Sequence, residues 1–252
     1  MRLRGEKMLP EKILDRYRVT KGDGFKLKDF DPDDFGNVDL SKKDGEDLLE
    51  LGVKRLSRLQ QRLYAEGKWA MLMVLQGIDT AGKDGIIKHV LTGVNPQGVS
   101  VHSFKQPSHL ELAHDFLWRA YRALPMRGRL GIFNRSYYEE VLVVKVHPEI
   151  VQNSQKLPAE LTCDMQKFWE HRYESIRDFE KHCWRNGTKV LKIFLNLSRD
   201  EQRDRFLDRI DEPDKNWKFS EGDVAERKHW HQYQQAYEEA INATAAKHAP
   251  WF

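Results

Sequence analysis

Leu49, Val53, Leu56, Leu59 and Leu63 recur at three- and four-residue intervals. That spacing puts them on one face of a helix. Ser41-Lys-Lys-Asp44 reads as its start and Gly67 as its stop, so a helix is predicted over 41–66. The unbroken apolar run from Ala70 to Gln76 predicts a buried strand, followed by a glycine-rich loop and a helix over about 82–92. Asn95-Pro96-Gln-Gly98 reads as a turn, and Val99 to Phe104 alternates as a second strand. Ser108-His-Leu-Glu111 is a capping box that opens a helix to about Leu124, where Pro125 ends it. Leu130 to Phe133 is a third strand, running into Asn134-Arg135-Ser136. A long helix is predicted over 160–186, closed by Asn186-Gly187, and a fourth strand over Val190 to Leu197. A second capping box, Ser198-Arg-Asp-Glu201, opens a helix to about Ile210. A charged break over Asp211 to Lys218 and a last helix over about 223–245 follow.

Strands alternating with helices predict an α/β domain with a parallel sheet and helices on both faces. In such sheets ligands bind at the carboxyl ends of the strands. The loop after the first strand and Asn134-Arg135 after the third both fall at such ends, so they are expected to converge on one crevice. Residues 1–40, punctuated by Gly22, Gly24, Pro32 and Gly36, read as an irregular extension wrapping over a main domain of 41–252.

Composition narrows the class. The 252 residues are 40% hydrophobic and 32% charged, as expected of a globular protein with a charged surface. No apolar run approaches the roughly 20 residues of a membrane span, and Met1-Arg-Leu-Arg-Gly-Glu-Lys-Met has no signal-peptide core. Cys163 and Cys183 fall in one predicted helix, about 30 Å apart along it. They are expected to be reduced packing residues of a cytoplasmic protein. The net charge of 42 − 39 = +3 says little by itself. Its distribution says more: between Gly85 and Tyr138 the acids are Glu111 and Asp115, against Lys88, Lys105, Arg119, Arg122, Arg127, Arg129 and Arg135. A basic span directly after a phosphate loop reads as a polyanion-binding surface.

The chemistry centres on Gly77-Ile-Asp-Thr-Ala-Gly82-Lys83-Asp84-Gly85. A strand running into GxxxxGK is a phosphate-cradling loop, in which glycines let backbone N–H groups point at phosphate oxygens. Lys83 adds a positive charge there, and the following helix its dipole. The residue after the lysine is Asp84, where the usual motif has a Ser or Thr to hold Mg²⁺. Asp79 is therefore the first candidate for the metal and Asp84 the second. Arg135 suits the bridging of phosphates with its planar fork. Arg203, Arg205 and Arg209, then Lys215 and Lys218, mark the place of an arginine-bearing lid, and Lys105 lies within reach of a phosphate. The histidines make no defensible metal spacing, and aromatic residues 217, 230, 233 and 237 are expected to pack helices.

Four segments carry a resemblance over most of the chain: residues 77–108, 114–125, 131–148 (GIFNRSYYEEVLVVKVHP) and 216–223 (NWKFSEGD). Together they resemble the family-2 polyphosphate kinases. The resemblance implies a P-loop kinase-like three-layer sandwich with a helical lid at about 199–228. It also implies Mg²⁺-dependent or Mn²⁺-dependent, reversible transfer of the terminal phosphate of inorganic polyphosphate to a nucleotide. It ties Asp79 to metal and phosphate positioning. Many members have Asp-Arg-Ser where this chain has Asn134-Arg135-Ser136, and the Asn variant is similar to the subgroup acting on both AMP and ADP. By this match, Asp79, Lys83, Asn134, Arg135 and Glu139 are the expected catalytic residues, with Asp79 the metal ligand. Gly77, Gly82, Asp84, Gly85 and Lys105 are expected to hold nucleotide or phosphate, and Lys88, Arg119, Arg205, Arg209 and Lys218 to line the polyphosphate path and lid. Expected partners are polyphosphate, adenine nucleotides with guanine nucleotides as a further class, and further copies of the chain as a dimer or tetramer, without nucleic acid or membrane. Members usually continue past this chain's Pro250-Trp-Phe252 through another strand and helix, so an uncovered sheet edge is expected there if residues are missing. The alternatives are an ATP-dependent nucleoside monophosphate kinase, against which Asp84 argues, and a non-catalytic polyanion binder.

Overall fold

A computed structural model describes residues 11–34 and 41–252; Gly36 and the first residues of the chain lie outside that range. Four strands, β1 (Ala70–Gln76), β2 (Val99–Ser103), β3 (Leu130–Asn134) and β4 (Thr188–Phe194), form one all-parallel sheet in the order β2-β3-β1-β4. The strands alternate with helices α1 (Glu11–Arg16), α2 (Lys42–Glu66), α3 (Lys83–Val90), α4 (His109–Leu112), α5 (Trp118–Arg122), α6 (Val143–Val146), α7 (Ala159–Thr162), α8 (Met165–Arg185), α9 (Arg199–Asp211), α10 (Glu221–Glu226) and α11 (Trp230–Thr244). Parallel strands need crossovers, and these cover both faces of the sheet. On one face Leu72, Val74, Phe133, Ile176, Phe179, Tyr237 and Ile241 pack between the sheet and α8 and α11. On the other, Leu75, Leu130 and Ile132 meet Ile86, Ile87 and Leu91 of the α3 segment. Full burial of a side chain such as Ile176 contributes roughly 1.5–3 kcal/mol.

Helix α2 begins as its sequence predicts. Ser41 Oγ accepts from Asp44 N, Asp44 answers the Ser41 N–H, and Gly67 closes the helix in the left-handed region at φ 62°. Three other predicted helices are broken. The one expected over 108–124 is α4 and α5, because Asp115 Oδ1 accepts from Leu117 N and holds a turn between them. The one expected over 160–186 is α7 and α8, because Asp164 caps α8 through Lys167 N. Cys163 is consequently exposed outside α8, while Cys183 is buried within it, and both are free. The last helix is α10, a 3-10 turn over Arg227–His229, and α11. Residues 137–155, for which periodicity predicts nothing, hold a 3-10 turn (Tyr137–Val141), α6 and a π-helical turn (Val151–Gln155).

The outer edge of β4 is not bare. Lys192 N donates to Pro250 O, Phe252 N to Lys192 O and Phe194 N to Phe252 O, so residues 250–252 run parallel to β4. Val19 pairs antiparallel with Trp251 on the far side. This corrects the expectation of an uncovered edge. The strap over residues 17–34 is held to α11 by Glu238 Oε2, which accepts from Leu27 N, and by Asn242 Nδ2, which donates to Phe25 O.

Candidate active site

The carboxyl ends of β1 and β3 are adjacent, with Leu75 opposite Asn134. The loop after β1 is tightly wound. A Cβ on Gly77 would lie 2.9 Å from the Ala81 Cβ, Gly82 turns left-handed at φ 95°, and Thr80 does the same at φ 65°. That winding buries Lys83, the first residue of α3, and points it back into the loop. Its Nζ donates to Gly77 O at 2.6 Å and Ile78 O at 3.0 Å. Burial, reinforced by the nearby Arg135 charge, pushes the ammonium down to about 8, against the pull of Asp79, Glu139 and Asp84. Gly85 follows in the first turn of α3.

After β3, Arg135 also takes a left-handed conformation, at φ 61°. Its guanidinium reaches Asp79 with Nη2 and Glu139 Oε2 with Nη1, the latter at 3.0 Å. Burial opposes the Arg135 charge, but Glu139 and Asp79 outweigh it and hold the pKa above its ordinary value. The predicted convergence of Asp79, Lys83, Arg135 and Glu139 is therefore present. Asn134 and Asp84 make a separate pair: Asn134 Nδ2 donates to Asp84 Oδ1 at 2.7 Å, and Lys218 Nζ lies 3.4 Å from Asp84 Oδ2. Asp84 is thus bound to Lys218 and Asn134 rather than grouped with Asp79.

Among the described residues no three carboxylate, His or Cys side chains form a metal cage. Asp79 and Glu139, both on Arg135, are the hard oxygen donors at the centre. So sparse a set fits Mg²⁺, which keeps several waters and shares phosphate oxygens through one or two carboxylates.

The arginines of α9 behave differently from one another. Arg205 Nη1 donates to Thr80 O at 3.0 Å and so lies over the loop. Arg209 is turned inward, to Lys218 O and Asp223. Arg119 donates to Lys105 O at 2.8 Å, and both residues line a cleft of about 490 Å³ that opens from Arg135 and Glu139. Lys88 is exposed in the last turn of α3, and no hydrogen bond or ion pair joins it to the Asp79–Arg135 group among the described residues. Trp217 departs from its expected packing role. It is 78% exposed on a 3-10 turn over Pro213–Lys218, with the Lys218 ammonium over its ring.

Several site residues had no sequence signal. Gln76, fully buried at the end of β1, accepts from Ser136 N and Oγ and donates from Nε2 to Glu139 Oε1 at 2.9 Å. It thereby sets the carboxylate that pairs with Arg135. Gln202 on α9 donates to Asp79 O at 3.1 Å. Glu226, Arg227, Trp230 and Tyr233 close a cavity of about 30 Å³ against Asp79, Arg135 and Glu139. A glutamine at a strand end belongs to no motif; its role is visible only through its partners.

Comparison with known proteins places the chain among relatives of one family. Residues 39–252 match the family model described as polyphosphate kinase 2 (PPK2). An ADP-polyphosphate phosphotransferase of Rhodopseudomonas palustris is 55% identical over 84% of this chain and 73% of its own length. An AMP/ADP-polyphosphate phosphotransferase of Meiothermus ruber is 45% identical over 95% of this chain and 84% of its own. The crystal structure of polyphosphate kinase 2 from Arthrobacter aurescens TC1 superposes with a TM-score of 0.83 at 41% identity, covering 94% of this chain and 80% of that one.

Proposed function

The chain belongs to the polyphosphate kinase 2 family, and on that premise we propose that it transfers the terminal phosphoryl group of inorganic polyphosphate to AMP and to ADP, giving ADP and ATP, reversibly. The observation that carries this reading is one cluster: a buried loop lysine beside the Asp79–Arg135–Glu139 group, at the mouth of a nucleotide-sized cleft. The acceptor phosphate sits at the Arg135 end of that cleft, and the polyphosphate end group lies on the loop under Arg205. An acceptor phosphate oxygen attacks the terminal phosphorus and forms the new P–O bond. The bridging P–O bond breaks, and the chain leaves one phosphate shorter.

Such transfer is mainly positioning and charge neutralisation. Lys83 meets the developing charge when a phosphate oxygen replaces the carbonyls of Gly77 and Ile78 as its partner. Arg135, left-handed at the end of β3 and fixed by two carboxylates, presents a rigid fork between donor and acceptor. Asp79, with Glu139, would hold Mg²⁺, which supplies neutralisation of charge on the bridging phosphates. Asp84 occupies the position of the usual Ser or Thr and is engaged by Asn134 and Lys218, which weighs against an ordinary ATP-driven kinase.

The test is a reaction of AMP, polyphosphate and Mg²⁺ without ATP. ADP and then ATP are expected. Lys83→Ala and Asp79→Ala, folded by circular dichroism, should each lower the rate by about 10²–10³-fold. Product that appears only when ATP is supplied would overturn the reading.

A further inference from the structure

Helix α2 is amphipathic, yet it places no apolar side chain in a core. Six leucines, Val53 and Tyr64 lie along its 25 residues. None of them is buried, and none packs on a buried cluster of the described residues. An apolar stripe that its own chain leaves uncovered marks an interaction surface.

The chain holds α2 by a different face. Ser57 Oγ donates to Gly93 O at 3.1 Å, a Cβ on Gly93 would meet Val53 Cγ1 at 3.8 Å, and Gln60, 3% exposed, fills the space beside Gly98. At about 100° per residue, Leu48, Leu59, Gly52, Gly45, Leu56 and Leu49 sweep an adjoining arc of roughly 100°. Leu49 and Leu59 are 46% and 52% exposed. Gly45 and Gly52 stand near the middle of that arc, and nothing lies within 4 Å of a Cβ built on either. Glycine weakens a helix interior, and what it permits in return is the close approach of another backbone.

The charges say which backbone. Asp44, Asp47, Arg55, Arg58 and Arg62, all exposed, border the arc on the side away from the sheet. Among the described residues the only ion pair on α2 is Glu50 with Lys54. From Asp44 to Arg62 every acid precedes Gly52 and every base follows it. The helix dipole favours that order only in the first and last turns, which leaves Arg55 and Arg58 unaccounted for. Two such helices laid antiparallel set acids against bases and glycine near glycine. Laid parallel, they would set like charges together. An anionic membrane would repel the acidic half.

We infer that α2 is the interface between two copies of this chain, packed antiparallel across a two-fold axis near Gly52. The apolar arc is the seam, and Asp44 and Asp47 of each copy face Arg55, Arg58 and Arg62 of the other. The same patch serves both copies, so the contact closes on itself as a dimer.

Sedimentation equilibrium of the full chain at micromolar concentration should give the mass of a dimer. Gly52→Gln makes a better helix in the lone chain. It should nonetheless weaken the dimer by about tenfold or more, because its side chain stands where the helices meet. Arg55→Glu with Arg58→Glu should weaken it similarly by setting acid against acid, and Asp44→Lys with Asp47→Lys by setting base against base. Mixed together, these two charge variants should pair with each other, which misfolded chains would not do. A wild type that stays monomeric overturns the inference, whether or not it binds vesicles of anionic lipid. So does an assembly whose dissociation Gly52→Gln and the charge variants leave unchanged.

Discussion

At the scale of single residues, Lys83 carries the sharpest consequence. Its ammonium, ordinarily near 10.5, is pushed down to about 8 by burial first and by Arg135 second. It has therefore lost about half of its proton at pH 8, where an unfolded lysine keeps nearly all of its own. The unfolded chain binds the extra proton between about 8 and 10.5, so this group makes folding more favourable as pH rises through that window. Ligand binding has the opposite sense. A phosphate chain in the loop restores the charge, so binding at about pH 8.5 should take up a proton, and affinity should fall as pH climbs past 8. Calorimetry in buffers of differing ionisation enthalpy measures this directly. Uptake near zero at about pH 6.5 that grows at 8.5 is expected, and no uptake at either pH contradicts it. Lys83, Asp79 and Arg135 were legible in the sequence because a motif fixes their place at strand ends. Gln76 and Gln202 were not, since each reaches this group through partners 60 and 123 residues away in the chain.

At the scale of elements, the first three strands and α2 were legible to within a residue, because apolar runs and a capping box are local signals, whereas the fourth strand, expected over Val190 to Leu197, runs over Thr188–Phe194. The helix breaks at Asp115 and Asp164 were missed for a physical reason. Helical periodicity continues on both sides of each break, and one carboxylate taking a backbone N–H is enough to divide the run. The strap over residues 17–34 was read only as irregular, since what orders it is α11, more than 200 residues further along. Its attachment turns on Gly22. A Cβ there would stand 1.7 Å from Asn242 O and 2.5 Å from Asn242 Cα, backbone atoms that cannot step aside. Gly22→Ala should therefore lift the strap at an overpacking cost of about 1–3 kcal/mol. Melting should fall by roughly 2–12 °C, and limited proteolysis should find new cuts within 17–34. Turnover with AMP should stay within about twofold, because the strap does not contribute to the Asp79–Arg135 group. An unchanged melting temperature would mean that the strap is not held at this point.

At the scale of the whole molecule, the site is anchored from behind by a buried polar network that no motif announces. Glu180 on α8 accepts from the hydroxyls of Tyr137 and Tyr138 with Oε1, and from Lys192 on β4 with Oε2 at 2.7 Å. Lys192 also donates to Thr244 O, and Thr244 Oγ1 accepts from Trp251 Nε1. Tyr137 and Tyr138 follow Arg135 within three residues, so the network joins α8, β4, α11 and residues 250–252 to the segment that carries Arg135. Burial works to lower the pKa of Lys192, and the Glu180 carboxylate only partly offsets it. The parallel sheet was predictable from alternation, but this convergence depends on strand order and on the 250–252 pairing, which local patterns do not encode. Removing one partner should cost far more than removing both. Lys192→Met leaves a buried carboxylate without its cation, a loss of about 3–5 kcal/mol. Adding Glu180→Leu should recover most of that in urea unfolding, because a well-packed apolar pair replaces a desolvated ionic one. The recovered fold should still turn over more slowly than the wild type, since Tyr137 and Tyr138 lose the acceptor that fixes them and the Arg135 segment loosens. A double variant as unstable as Lys192→Met would show that the ion pair itself, not the cost of stranding one charge, holds this face of the sheet together.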